Sequence, residues 1–223
     1  MYSTRILLGT YTVQTLLKML GNRMNKRIPH ILNDTTHAVW AAGRQGLLVG
    51  NRIPKDYFIT NGIGQSDITV HAGSYHLALK DAGIEQYNIM TYSSILPSIA
   101  TEVEKPAFLT HGSVMETIMA CANSRKGTRA TAGIIYGWLT SKETKQRYGG
   151  LVCEYNGNHS EKYVEKQLND SLNELYYNGF SDDYDLGEKR CILESFVPEK
   201  KYGTAIVALC FTNYVFPVIQ TLN

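Results

Sequence analysis

Tyr92-Ser93-Ser94-Ile95-Leu96-Pro97 closes a run, Tyr87-Asn88-Ile89-Met90-Thr91, in which apolar and polar residues alternate. That alternation, rich in β-branched and aromatic types, is the period of a half-buried strand. Pro97 donates nothing to a ladder and pushes Leu96 toward extended backbone, so the strand is expected to break there and expose the serines at its exit. A serine hydroxyl held at such a break can reach the carbonyl of the residue before it. The plain alternative is a polar turn, since paired serines are common in turns.

On the N-terminal side, Tyr57-Phe58-Ile59-Thr60 reads as a strand ending in Asn61-Gly62-Ile63-Gly64. A lone GxG without the third glycine marks a plain turn, not a nucleotide loop. The helix spans about Val70 to Asp81, with Gly83 as its stop. His71 and His76, five residues apart on it, are expected on different faces, which argues against a metal pair.

On the C-terminal side, Ser113 to Ala122, Ala130 to Leu139, Gly150 to Tyr155, Cys191 to Val197 and Thr204 to Thr212 read as strands. Between them, His159 to Tyr177 carries one apolar stripe, Val164, Leu168, Leu172 and Leu175 or Tyr176, as a core-facing helix does. Asp182 to Glu188 is acidic but lacks the alternating oxygen ligands of a calcium loop, and reads as a solvated loop. Strands outnumber helices and few βαβ units occur. The expected class is therefore α+β, with stacked, mainly antiparallel sheets and helices on the outside.

A chain of 223 residues can bury one sizeable core. Its 22 basic and 20 acidic residues are spread evenly to a net charge of +2, which leaves no nucleic-acid footprint. No apolar run approaches the roughly 18 to 20 residues of a membrane span. Cys121, Cys153, Cys191 and Cys210 form no CxxC pair and lie among apolar neighbours, so they read as buried, reduced thiols of a cytoplasmic protein. Residues 1–51 show no sustained period and read as an N-terminal extension of unknown role. No acid precedes Asp34, as in a targeting peptide, yet no small-residue cleavage site closes a clear apolar core; Met24 or a later codon is an alternative start.

From about Arg52 onward the chain resembles the pyruvoyl-dependent arginine decarboxylases. The resemblance is carried by Asn61-Gly62-Ile63-Gly64-Gln65-Ser66-Asp67, by Ala82-Gly83-Ile84, by Asn88 followed by Ser93-Ser94-Ile95-Leu96-Pro97, by His111-Gly112, and by Gly150-Leu151-Val152-Cys153-Glu154-Tyr155-Asn156-Gly157. It implies a domain over 52–223 built as an αββα sandwich, and a trimer of cleaved protomers with active sites between them.

Removing carbon dioxide from an amino acid leaves a carbanion, which needs an electron sink joined to the substrate nitrogen. The resemblance supplies one: Ser94 attacks the carbonyl of Ser93, the chain is cut into 1–93 and 94–223, and residue 94 becomes a pyruvoyl group that forms a Schiff base. It also implies that Glu154 returns a proton to Cα, that Asn88 serves processing or substrate positioning, and that His76 and Ile95 touch the substrate. Glu116, on a similar strand, reads as pointing to water.

Histidine at 76 departs from the aspartate that arginine-specific members carry twelve residues before the asparagine, and it cannot make a two-toothed contact with guanidinium. Despite this departure, the resemblance makes arginine, giving agmatine for acid consumption or polyamine supply, the first expectation for substrate. Ornithine, lysine or histidine, or an unprocessed partner of an active homologue, are the alternatives.

Overall fold

The computed structural model describes residues 46–107 and 110–222. Contacts divide the chain into residues 49–219 and a second unit, residues 1–48 with 220–223. Of the second unit, only residues 46–48 of strand β1 (Gly46–Val49) and residues 220–222 of β13 (Val218–Leu222) belong to the described residues. Residues 1–45 of the expected N-terminal extension, with its basic segment, lie outside them.

The larger unit is mainly β with two helices, an α+β arrangement. Its five-stranded sheet runs β4 (Asn88–Thr91), β7 (Val114–Arg125), β11 (Tyr202–Phe211), β3 (Asp56–Ser66), β6 (Thr101–Glu102). The four-stranded sheet runs β10 (Tyr184–Phe196), β8 (Ala130–Ser141), β9 (Arg147–Gly157), β5 (Ile95–Pro97). Two short strands, β2 (Ile53–Pro54) and β12 (Tyr214–Val215), pair separately. Pairing is antiparallel except at β4 with β7 and β3 with β6.

Alternation along the central strands sorts the apolar side chains into layers. In β11, Ala205, Val207, Leu209 and Phe211 share a cluster with Ala130, Ala132, Ile134 and Tyr136 of β8, so the two sheets pack face to face. The opposite face of β11, Ile206, Ala208 and Cys210, packs under α1 (His76–Asp81) through Ala78 and Leu79. The outer face of the other sheet, through Ile135, Leu139 and Leu151, meets Val164, Leu168 and Leu172 of α2 (Glu161–Gly179). Tyr176 completes that stripe and donates to the Tyr184 carbonyl at 2.9 Å, whereas Leu175 is exposed.

The first helix begins as a π-helical turn, Val70–Tyr75, and continues as α1. It ends in a Schellman motif: the Ile84 and Gly83 N–H groups bond the Leu79 and Lys80 carbonyls, both at 2.9 Å, with Gly83 at φ +65°. Leu79 and Ile84 meet in the same cluster, the apolar contact that accompanies this cap.

Three expectations need correction. Asn61 to Gly64 is not a turn: β3 runs through it to Ser66. Its glycines let the helix approach, because a Cβ on Gly62 would fall on the Ala78 carbonyl oxygen and one on Gly64 on the Ser74 carbonyl oxygen. Nor is Asp182 to Glu188 wholly loop, since β10 starts at Tyr184 and shifts register between Leu186 and Lys189, as a bulge does. The cysteines are free, but only Cys210 is fully buried, with its thiol pushed up to about 12 by desolvation; the other three are half-buried.

Gly64→Ala should destabilise the fold by about 1–3 kcal/mol, because the added methyl meets helix backbone and not a flexible side-chain end. A shift of the urea midpoint measures it. A midpoint within error of wild type would show that the helix can move aside.

Candidate active site

β4 and β5 belong to different sheets, and residues 92–94 carry the chain from one to the other. The expected break after the strand therefore falls at the serines and not at Pro97. Pro97 lies within β5, opposite Gly149, on an edge strand that tolerates the missing N–H.

Ser94 is anchored to β9 twice. Its carbonyl accepts the Val152 N–H at 3.1 Å, and its hydroxyl donates to the Glu154 carboxylate, 2.9 Å from Oε2 and 3.1 Å from Oε1. Ser93, by contrast, is exposed; its carbonyl oxygen accepts the Ile95 N–H at 3.0 Å, closing a tight turn centred on Ser94. The carbonyl a Ser94 nucleophile would attack thus already has a donor on its oxygen.

Glu154 is half-buried, and desolvation pushes its carboxyl above the usual range against the opposing hydrogen bond from Ser94. A strand residue sixty positions downstream meets Ser94 because β9 pairs antiparallel with β5, with Leu151 opposite Ile95.

Asn88 stands at the start of β4 and donates to the Gly112 carbonyl at 2.8 Å, while its own N–H reaches the Ser113 carbonyl at 2.9 Å. Gly112 has φ +79°, a conformation that favours glycine, which ties the His111-Gly112 motif to Asn88. Asn88 also lines a groove of about 590 Å³ with His71, Tyr75, His76, Glu85 and Tyr87.

The two histidines thus share a groove, contrary to their expected separation. The His76 N–H bonds the His71 carbonyl, five residues back, and this π-type widening brings side chains five apart onto one side. Ser94 and Glu154 are not among the residues lining that groove. The structure therefore gathers the six predicted site residues into two groups: Ser93, Ser94, Ile95 and Glu154 at the crossing, Asn88 and His76 at the groove. Ile95 is 61% exposed.

Glu116 does not point to water as expected. It is buried, faces the inter-sheet layer, and binds Arg52 through both carboxylate oxygens and the hydroxyl of Tyr92 through one. Sequence reasoning missed this trio. The available signal was a carboxylate on the strand face that carries Ile118, Ala120 and Ala122.

The site is thus a serine pair crossing between two packed sheets, with one hydroxyl on a half-buried carboxylate. The family model of pyruvoyl-dependent arginine decarboxylase matches residues 56–216, and the chain belongs to that family. It is 33% identical over 136 residues to a pyruvoyl-dependent arginine decarboxylase of Methanocella arvoryzae, covering 56% of this chain and 77% of that one. It is 29% identical over 189 residues to the pyruvoyl-dependent arginine decarboxylase AaxB of Chlamydia abortus, covering 74% of this chain and 94% of that one. A pyruvoyl-dependent arginine decarboxylase of Thermoplasma volcanium is 28% identical over 149 residues, covering 64% and 80%. Among the described residues no helix is long and apolar enough to cross a membrane.

Proposed function

We propose that this chain is a pyruvoyl-dependent arginine decarboxylase that cuts itself between Ser93 and Ser94. The observation that carries the reading is the Ser94 hydroxyl held on Glu154 beside a Ser93 carbonyl that already accepts a hydrogen bond. In the first step Ser94 Oγ attacks the Ser93 carbonyl carbon. The C–N bond breaks, an ester C–O bond forms, and the hydroxyl proton ends on the freed nitrogen. The Ile95 N–H stabilises the oxyanion that develops on the way. Loss of the Cα proton of residue 94 then breaks the Cβ–O bond, releasing Ser93 as a carboxylate; water and loss of ammonia convert residue 94 to pyruvoyl.

The residues around Ser94 fit that product, because its backbone carbonyl is fixed by Val152 and its side chain faces a carboxyl group. Once formed, the pyruvoyl carbonyl supplies the electron sink for decarboxylation. Glu154, beside residue 94, would return the proton to the substrate Cα. Desolvation already holds the Glu154 carboxyl above the usual range, the direction a proton donor requires. Asn88, braced on Gly112, positions backbone or substrate at the groove.

Arginine is the proposed substrate. His76 offers no carboxylate to a guanidinium, but Glu85 lines the same groove and supplies one. His76→Asp should lower KM for arginine about tenfold, the worth of one charge-assisted contact. Steady-state kinetics with arginine, ornithine, lysine and histidine measure it; an unchanged KM for arginine would remove His76 from the substrate pocket.

The exposed apolar side chains Met90 on edge strand β4, Val114 on β7 beside it, and Ile95 on edge strand β5 of the other sheet support assembly of cleaved protomers as a trimer. The three packed clusters support the αββα form of the fold, with 52–223 as the catalytic domain. The test of the function is intact mass under denaturing conditions. Two fragments, 1–93 and 94–223, the second with a blocked, borohydride-reducible N-terminus, are expected.

A further inference from the structure

Glu116 is the one acidic or basic residue in the buried core of the described chain, and its burial has no use in the chemistry above. Its side chain is 3% exposed, yet it carries three donors: Arg52 Nε at 3.2 Å on Oε2, Arg52 Nη2 on Oε1, and the Tyr92 hydroxyl on Oε2. A buried carboxylate is retained only when its lone pairs are filled in this way. Arg52 reaches in from solvent, 46% exposed, with its guanidinium 5.6 Å from the centre of the Tyr214 ring. The Tyr92 ring packs against Phe211, centroids 5.7 Å apart, so its hydroxyl is aimed by apolar packing as well.

Tyr92 immediately precedes the serine pair. Its backbone N–H bonds the Thr117 carbonyl at 2.7 Å and its side chain bonds Glu116, so two adjacent residues of β7 hold it. Two residues on, Ser94 is held the same way by the other sheet, backbone to Val152 and side chain to Glu154. Ser93 spans the interval with no β-ladder bonds of its own.

We infer that Glu116, locked by Arg52 and acting through the Tyr92 hydroxyl, is a positioning residue for self-cleavage: it fixes the N-terminal side of the Ser93–Ser94 peptide while β9 fixes the C-terminal side. The inference rests on the self-cleavage reading and adds a second anchor to it. Attack by Ser94 Oγ on the carbonyl one residue back closes a five-membered ring, which demands that the Ser93 carbonyl stay turned toward that oxygen. A chain anchored on one side only lets the carbonyl rotate away, and an attack geometry lost for most of the time is a rate lost in proportion.

The test follows cleavage by intact mass after rapid purification, in wild type, Tyr92→Phe, Glu116→Gln and Ser94→Ala. Tyr92→Phe keeps the ring on Phe211 and removes one oxygen. Its cleavage half-time is expected to lengthen at least about tenfold, the worth of a hydrogen bond to a charged group, at a melting midpoint near that of wild type. Glu116→Gln should slow cleavage as well. Hydroxylamine, which cuts the ester directly, should not recover the rate of Tyr92→Phe, because the loss lies in forming that ester. A merely structural role for Tyr92 would lower the melting midpoint and leave the cleavage rate of the folded chain unchanged, which would overturn the proposal. So would a slow Tyr92→Phe that hydroxylamine restores. Wild type cut while Ser94→Ala stays whole keeps the self-cleavage reading standing whatever Tyr92→Phe does. Wild type left uncut would end that reading and this proposal with it.

Discussion

Ser94→Ala is expected to remain a single chain after any length of incubation and to release no carbon dioxide from arginine. The loss is complete because one oxygen serves two ends, as the nucleophile that cuts the chain and as the atom whose departure creates the carbonyl needed for decarboxylation. Alanine has neither a lone pair to attack nor a leaving group to lose. Ser93→Ala is the matched control: its backbone carbonyl remains, the Ile95 N–H still finds it, and cleavage should proceed. The pair of variants decides which serine is the nucleophile, which adjacency in sequence leaves open. Fragments 1–93 and 94–223 from Ser94→Ala would end the assignment.

Glu154→Gln should still be cut, since the amide oxygen can accept the Ser94 hydroxyl, but decarboxylation per cleaved chain should fall about 10²–10⁴-fold, the range for loss of a positioned general acid. Its pH profile carries the sharper signature. A proton donor works only while protonated, and burial keeps the Glu154 carboxyl protonated to higher pH than an ordinary glutamate. Wild-type kcat should therefore decline as pH rises through that raised pKa, and the declining limb should vanish in Glu154→Gln, which has no proton to lose. Steady-state rates across pH, normalised to pyruvoyl content, give the result. Equal turnover in both proteins would assign the proton to another group.

How much of this was legible beforehand depended on how local the cause was. The strand before the serines, the helix closed by Gly83 and the stripe on α2 follow from periods of two and 3.6 residues and from a glycine that accepts positive φ. All of these causes act within a few residues, so the chain itself displays them. Gly62 and Gly64 read as turn residues for the opposite reason: a glycine required by a helix backbone crossing a strand looks, in one dimension, like a glycine required by a turn.

The site divides along the same line. By itself the sequence determined the strand and helix periods and, through its resemblance to a known family, which residues to nominate for chemistry: the Ser93-Ser94 pair, Asn88 and Glu154. Only the tertiary structure decided which of them meet. Strand pairing put Glu154 on Ser94, a π-helical turn put His71 and His76 in one groove, and the crossing between two sheets brought Arg52, Tyr92 and Glu116 together across 64 residues. Glu116 shows why such contacts stay hidden. A carboxylate on a strand is cheapest in water, and only a distant arginine and tyrosine, supplied by the fold, make its burial tolerable.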